Sequence, residues 1–371
     1  MSKKIRIGVI FGGRSGEHDV SLMSARSVLS VMDTEKYTIT QIGITKSGEW
    51  YCGIDVISAL EKQDFSELSK AILPPVPGKP ALYSIQRSPE GERLTLTAEL
   101  DVIFPVLHGT FGEDGTLQGL LEMADVAYVG AGVLGSSVGM DKGLFKDVMK
   151  AHNIPTIESI VVSRKEIEKN MDVVIARAEK VAGYPLFIKP ANLGSSVGIS
   201  KCRNKSDLLE GLMDAARFDR RILIERGLNK PREIEISVLG NQDPQASVAG
   251  EIIPEADFYS YSAKYLDDTS HPCIPADLPE EVSTEMRRIA VEAYKAIDCA
   301  GMARVDFLLD RETNQFYLNE LNTLPGFTRI SMYPKLWDAT GLPYPKLIDR
   351  LVELALERKT DRDQTIRTYE G

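Results

Sequence analysis

Arg304-x-Asp306 and Glu320-x-Asn322 are spaced to do chemistry together. Side chains alternate along a strand, so each pair shares one face. The runs 304–309 and 315–320 are strand-like, and the short polar link Asp310–Asn314 predicts an antiparallel hairpin. That hairpin brings Asp306 within about a register step of Glu320. Two carboxylates and an amide oxygen are hard donors, suited to Mg²⁺ ions that also grip phosphate oxygens. The alternative is a hairpin whose charged ends face water. Asp306, however, sits inside Val-Asp-Phe-Leu-Leu, where an unpaired carboxylate is costly.

A second constellation could hold the phosphates. Lys189-Pro-Ala-Asn-Leu-Gly-Ser-Ser-Val-Gly198 sets a lysine at a strand end before a Gly/Ser loop. Backbone N–H groups in such loops form anion nests, although an ordinary turn has the same composition. It is not a Walker A loop, since G-x-x-x-x-G-K-[ST] occurs nowhere. Gly-Ser-Ser-Val-Gly also occurs at 135–139, just before Met140-Asp-Lys142, and reads as a second loop of similar chemistry rather than a duplication. Gly12-Gly13-Arg-Ser-Gly-Glu17 opens a helix whose N-terminus could receive an anion; Glu17 could hold an ammonium group or favour the helix start. His108 ends a strand, where α/β folds place ligands, but a lone histidine is more often structural than catalytic. The segment 254–276, with Phe258, Tyr259, Tyr261, Lys264 and Tyr265, is long enough to be a lid over a site.

The elements that must position these groups follow from the patterning. Residues 5–11 (IRIGVIF), a glycine turn and a helix from about Glu17 to Met32 begin a doubly wound α/β unit, continued by strands at 38–44 and 101–106. Residues 74–80 are a Pro/Gly-rich surface loop. A second unit opens near Met140. Ser163-x-x-Glu166 caps a helix carrying Ile167, Met171, Val174, Ala178 and Val181; strands follow at 186–189 and 222–225, with a helix from Ser206 to Ala216 between them. The third unit is strand-rich (233–239, 246–253, 304–309, 315–320), with one amphipathic helix capped by Asp277 and a terminal helix over 343–358. The expected fold class is mixed α/β and α+β in three units: 1–140 with a doubly wound parallel sheet, 141–227, and 228–360 with its loop 254–276, followed by a tail at 361–371.

The chain has 371 residues, 43% hydrophobic and 26% charged, with a formal net charge of −10. An acidic chain argues against general nucleic-acid binding. Four scattered cysteines without a C-x-x-C pair predict neither a zinc site nor a disulfide framework. No apolar stretch reaches bilayer length and no leader-like segment stands out, so a cytoplasmic protein without membrane contact is expected.

Eight motifs occur in one order: Glu17-His-Asp-Val-Ser21, His108-Gly with Glu113-Asp-Gly-Thr-Leu-Gln-Gly119, Met140-Asp-Lys142, Lys189-Pro with Gly194-Ser-Ser-Val-Gly198, Ala263-Lys-Tyr265, Arg304-Val-Asp306, Glu320-x-Asn322 and Pro325-Gly326. With them the chain resembles the D-alanine–D-alanine ligases of the ATP-grasp superfamily as far as about residue 358. The resemblance implies a three-domain ATP-grasp architecture and ATP-dependent joining of two D-alanines for peptidoglycan precursor synthesis. ATP would lie between the second and third units, with Lys142, Lys189, Ser196 and Lys264 near its phosphates, Glu225 and Leu228 at the adenine and Glu233 at the ribose. Asp306, Glu320 and Asn322 would hold two Mg²⁺, with Mn²⁺ able to substitute. Glu17, in a network with Ser195 and Tyr265, would orient the first D-alanine, which His108 also contacts. Arg304 and the backbone at Gly326 would stabilise an oxyanion, and Ser331 would meet the second carboxylate. Relatives imply a homodimer, and the stretch around 55–95 resembles the extra linker of the family's longer members. Tyr265 implies an amine acceptor, since ligases that make D-alanyl-D-lactate depart from tyrosine there. Leu193 stands where some relatives have Glu, and Glu320-Leu-Asn322 replaces the commoner Glu-Ala-Asn; neither change removes an expected ligand oxygen. Competing readings are another ATP-grasp ligase, a non-catalytic nucleotide-binding module and a two-lobed small-ligand binder.

Overall fold

The computed structural model describes residues 3–194, 197–254, 270–311 and 313–366. The first unit is built on β1 (Ile5–Gly12), α1 (His18–Val31), β2 (Tyr37–Ile44), β3 (Trp50–Cys52), α2 (Val56–Lys62), β4 (Ser69–Ile72), β5 (Ala81–Ser88), β6 (Gly91–Glu99), β7 (Val102–Leu107), α3 (Thr116–Met123), β8 (Ala127–Tyr128) and α4 (Val133–Met140). Its sheet runs β6-β5-β4-β3-β2-β1-β7-β8. The half β2-β1-β7-β8 is parallel and the half β3 to β6 is an antiparallel meander. The doubly wound expectation therefore holds for the parallel half. Residues 55–95 are not a linker: they contain α2 and β4 and most of the β5–β6 hairpin, which extends the sheet. β6 is exposed along most of its length, so burial could not mark it as a strand.

Alternation along the parallel strands gives the sheet two cores. Ile7, Val9 and Phe11 of β1 and Val102, Phe104 and Val106 of β7 face α1 and α2. Ile10, Ile42, Ile103 and Leu107 face Leu117 and Leu121 of α3. The last helix of the chain, α11 (Tyr344–Arg362), packs Leu347, Ile348, Leu351 and Val352 into the first of these cores.

The second unit contains α5 (Lys142–Ala151), β9 (Ser159–Ser163), α6 (Arg164–Lys169), α7 (Met171–Ala178), β10 (Leu186–Pro190), β11 (Ser200–Cys202), α8 (Lys205–Phe218) and β12 (Arg221–Arg226), with antiparallel sheet order β11-β10-β12-β9. The Ser163/Glu166 capping box forms as expected. The single helix predicted beyond it is two, because Asn170 leaves helical geometry and accepts the Val173 N–H as the N-cap of α7.

The third sheet, β15-β14-β13-β16-β17, is antiparallel and comprises β13 (Arg232–Gly240), β14 (Gln245–Pro254), β15 (Ser270–Cys273), β16 (Gly301–Leu309) and β17 (Phe316–Asn322). The end of the expected loop 254–276 is thus a strand, β15; residues 255–269 lie outside the described residues. On one face, Ile234, Ile236, Val305 and Phe307 pack on α9 (Glu280–Ala296) and on Phe145 and Met149 of α5. Asp277 does not cap α9. Pro279 occupies the N-cap position, and the Asp277 carbonyl accepts from Arg232 instead. Helix α10 (Met332–Ala339) packs beside β14 through Met332 and Leu336. Among the described residues no helix is long and apolar enough to cross a membrane.

Candidate active site

The hairpin expected from Arg304-x-Asp306 and Glu320-x-Asn322 forms in direct register: Asp306 pairs with Glu320 and Arg304 with Asn322. Along β16, Val305, Phe307 and Leu309 go to the core, leaving Arg304 and Asp306 on the opposite face. A register shift between Asp306 and Phe307 puts one extra residue into β17, and Asn319 as well as Glu320 then lines the cavity. Arg304 grips Asp306 bidentately, Nε to Oδ1 at 2.8 Å and Nη2 to Oδ2 at 2.7 Å. Its Nε also lies 3.1 Å from Glu235 Oε2, and Asn322 Nδ2 donates to Asp306 Oδ2 at 3.1 Å. The guanidinium is therefore fixed in orientation by two carboxylates.

Glu320 and Asn322 of this strand pair line a cavity of about 200 Å³ together with Lys142 and Lys189. Asp141 caps α5 through the Leu144 N–H and is ion-paired with Arg221, which sets where Lys142 begins the helix. The Lys142 ammonium donates to the Leu193 carbonyl at 2.9 Å and stands 3.5 Å from Glu320. Lys189, on the inward face of β10, is ion-paired with Glu225 of β12 and reaches Asn319 Oδ1 at 3.4 Å. Met140, Ile157, Phe187, Leu228, Leu308 and Leu321 supply apolar wall, and Glu233 also lines the cavity. One cavity thus combines apolar walls with cations and carboxylates, a lining that suits a nucleotide.

Sequence reasoning passed over three members of this site. Lys146, one turn after Lys142, is buried 3.0 Å from Glu225 Oε2. Burial alone would raise the Glu225 carboxyl, but Lys146 and Lys189 outweigh it and hold it down at about 2. A signal existed, because Phe145 and Met149 mark the buried stripe of α5 and Lys146 lies on it. Glu235 lies on β13 opposite Asp306, and strand patterning alone gives it no role beyond the strand. Glu113 belongs to the motif that begins at His108. It is buried and accepts the Gly109 N–H at 2.7 Å; burial and then the nearby Glu17 push its carboxyl up to about 8.

Glu17 is itself buried. A Cβ on Gly109 or Gly194 would fall 2.4 or 2.6 Å from its Oε2, so both glycines are needed for that close approach. Gly12 makes the turn that brings Glu17 there: it has φ +89°, and a Cβ would meet the Ile44 carbonyl at 2.2 Å. His108 is a buried clamp. Its Nδ1 is 3.1 Å from the Leu324 carbonyl and its Nε2 3.0 Å from Ser24 Oγ, which also accepts the Phe327 N–H. Burial pushes the imidazole down to about 4, so it is neutral, donates from Nδ1 and accepts at Nε2. The clamp ties α1 and β7 to the turn carrying Gly326. Ser331 Oγ accepts the Thr328 N–H at 2.9 Å and lies 2.8 Å from where a Gly326 Cβ would be, so these two expected substrate contacts are neighbours. Ser195, Ser196, Lys264 and Tyr265 lie outside the described residues. The 135–139 pentapeptide is not a loop: it is helical, within α4.

Residues 6–131 match the sequence model of the D-ala D-ala ligase N-terminus, and residues 148–353 that of the D-ala D-ala ligase C-terminus. A D-alanine–D-alanine ligase of Thermoanaerobacter sp. strain X514 is 50% identical over 364 residues, covering 98% of this chain and 99% of its own. One from Acetivibrio thermocellus is 46% identical, covering 97% and 98%. Among solved structures, the D-alanine–D-alanine ligase from Coxiella burnetii superposes with a TM-score of 0.84 at 36% identity, covering 100% of this chain and 99% of that one. The VanG D-Ala:D-Ser ligase from Enterococcus faecalis does so with a TM-score of 0.81 at 33% identity, covering 95% and 100%. With both of its halves matched and its length shared end to end with these enzymes, the chain belongs to the D-alanine–D-alanine ligase family.

Proposed function

We propose that this protein uses ATP to join two D-alanines into D-alanyl-D-alanine, a peptidoglycan precursor, in the cytoplasm and as a homodimer. The observation that carries this reading is Glu320 and Asn322 lining one cavity with Lys142 and Lys189, with Asp306 in direct register with Glu320, in a chain of this family. A carboxylate is a poor acyl donor, because its leaving group would be oxide. Attack of the first carboxylate on the γ-phosphorus of ATP forms an acyl phosphate and releases ADP. The neutral amine of the second D-alanine then attacks the carbonyl, and the tetrahedral adduct expels phosphate.

Each residue has a part in this reading. Lys142 and Lys189 neutralise phosphate charge, joined by Ser196 and Lys264. Glu225, Leu228 and Glu233 receive the nucleoside. Buried Glu17 takes the ammonium group of the first D-alanine, with Ser195 and Tyr265 in its network. His108 places the turn that presents the Gly326 N–H, and Ser331 meets the second carboxylate. Arg304, held by Asp306 and Glu235, stabilises the oxyanion, a term worth ~3–4 kcal/mol for comparable donors.

Asp306, Glu320 and Asn322 are hard oxygen donors in direct cross-strand register, and they fit Mg²⁺, or Mn²⁺ in its place. Two such ions would supply charge neutralisation at the transferred phosphoryl group.

The test is phosphate release with ATP and Mg²⁺ in the presence of D-alanine, L-alanine or neither. D-Alanine alone should sustain turnover and yield the dipeptide. Equal release with L-alanine, or dependence on a different second substrate, would point to another ATP-grasp ligase.

A further inference from the structure

Glu225 is a buried carboxylate between two lysines. Its Oε1 is ion-paired with Lys189, and its Oε2 lies 3.0 Å from Lys146. The two cations are not equivalent. Lys189 lines the cavity, on the face shared with Asn319 and Glu320. Lys146 is almost wholly buried; it projects from α5 behind the cavity wall and donates to the Ile157 carbonyl at 3.3 Å. Glu225 borders the apolar part of the cavity, beside Phe187, Leu228 and Leu308, where a planar base fits. A carboxylate there accepts an exocyclic amine and repels a carbonyl oxygen.

We propose that Lys146 is a positioning residue of the base pocket: it holds the Glu225 carboxylate as a fixed acceptor for a purine 6-amino group while Lys189 turns its charge to the phosphates. This rests on the nucleotide reading above. The physical reason is charge balance. Phosphates compete for Lys189, and once they share it, Glu225 would be an under-compensated buried anion unless a second cation stayed in place. Lys146 is buried away from the phosphates, anchored to a backbone carbonyl, and supplies that charge. Its own burial, opposed by Glu225, lowers the ammonium below the ordinary lysine value.

The test uses the full chain with Mg²⁺ and measures, by titration calorimetry, the affinity for ATP and for inosine triphosphate, which carries oxygen in place of the 6-amino group. The unaltered chain should prefer ATP by roughly tenfold or more, the scale of a hydrogen bond to a charged group. Lys146→Met should lose most of that preference, weakening ATP by roughly tenfold and inosine triphosphate by less than about threefold. In a Glu225→Gln background the same substitution should change the preference no further. If Lys146→Met does not fold, Lys146→Gln, which keeps a donor for Ile157 without the charge, carries the comparison. Failure of the unaltered chain to bind either nucleotide sinks the nucleotide reading itself. Binding without preference, or an equal loss for both nucleotides in the variant, overturns the role of Lys146 alone.

Discussion

Replacing His108 by asparagine tests whether the joint between the first sheet and the Gly326 turn is a neutral imidazole. The ring is buried between Ser24 and the Leu324 carbonyl, and burial sets its pKa at about 4 against an ordinary 6.5. The folded protein thus refuses a proton that the unfolded chain accepts. The stabilisation is fully present above pH ~6.5 and is lost as pH falls toward 4. At pH 5 the ratio of binding polynomials, unfolded over folded, is about 30, which is about 2 kcal/mol of lost stability; the full loss below pH 4 is about 3.4 kcal/mol. Asparagine can still donate to Leu324 but cannot titrate. At pH 7 it should cost ~1 kcal/mol through the lost Ser24 contact. At pH 5 that deficit should vanish or reverse, because the unaltered protein has paid its proton penalty and the variant has not. Urea unfolding at both pH values measures the difference. The ring protons of His18, His108, His152 and His271, the four histidines of the chain, can be followed separately by NMR. A His108 signal titrating near pH 6.5, or a deficit identical at both pH values, would refute the buried-clamp reasoning.

Two further outcomes follow from the same geometry. Arg304→Ala should lower kcat by about 10²–10³-fold, as removal of a fixed oxyanion donor does, while ATP affinity stays within about threefold; near-normal turnover would show that the oxyanion lies elsewhere. Glu113, with its carboxyl at about 8, is protonated in the folded protein at neutral pH, whereas the unfolded chain ionises from about 4.5 upward. Stability from this group therefore falls as pH rises between those values, and Glu113→Gln should flatten that decline in unfolding titrations between pH 5 and 8; an unchanged slope counts against a neutral Glu113.

What could be read from the sequence follows a physical division. The hairpin of Asp306 and Glu320 was legible because a two-residue period and a short polar link determine which side chains meet. The Ser163 capping box was legible because all its parts lie within four residues. The Lys146–Glu225 pair was not, since nothing in a helix names the strand it will face, and a lysine is ordinarily surface. Nor was the extra β17 residue that turns Asn319 toward Lys189: a bulge is a property of two strands together. The β5–β6 hairpin escaped notice because its exposed outer strand buries almost nothing, and burial is what hydrophobic patterning reports.

The repeated Gly-Ser-Ser-Val-Gly makes the same point from identical residues. In the later copy, Gly194 closely approaches the buried Glu17, where a Cβ would not fit. At 135–139 the stretch forms a helix whose small residues permit close packing. A Cβ on Gly139 would come 3.1 Å from the Thr323 methyl and 3.4 Å from the Leu321 carbonyl, and one on Gly135 3.0 Å from the Asp298 carbonyl. That closeness fixes α4 against the strand carrying Glu320 and Asn322. The chain then turns at Asp141, which caps α5, and places Lys142 3.5 Å from Glu320. In one copy glycine spares room for a carboxylate; in the other it spares room for a strand, and the cation that follows is positioned by that packing.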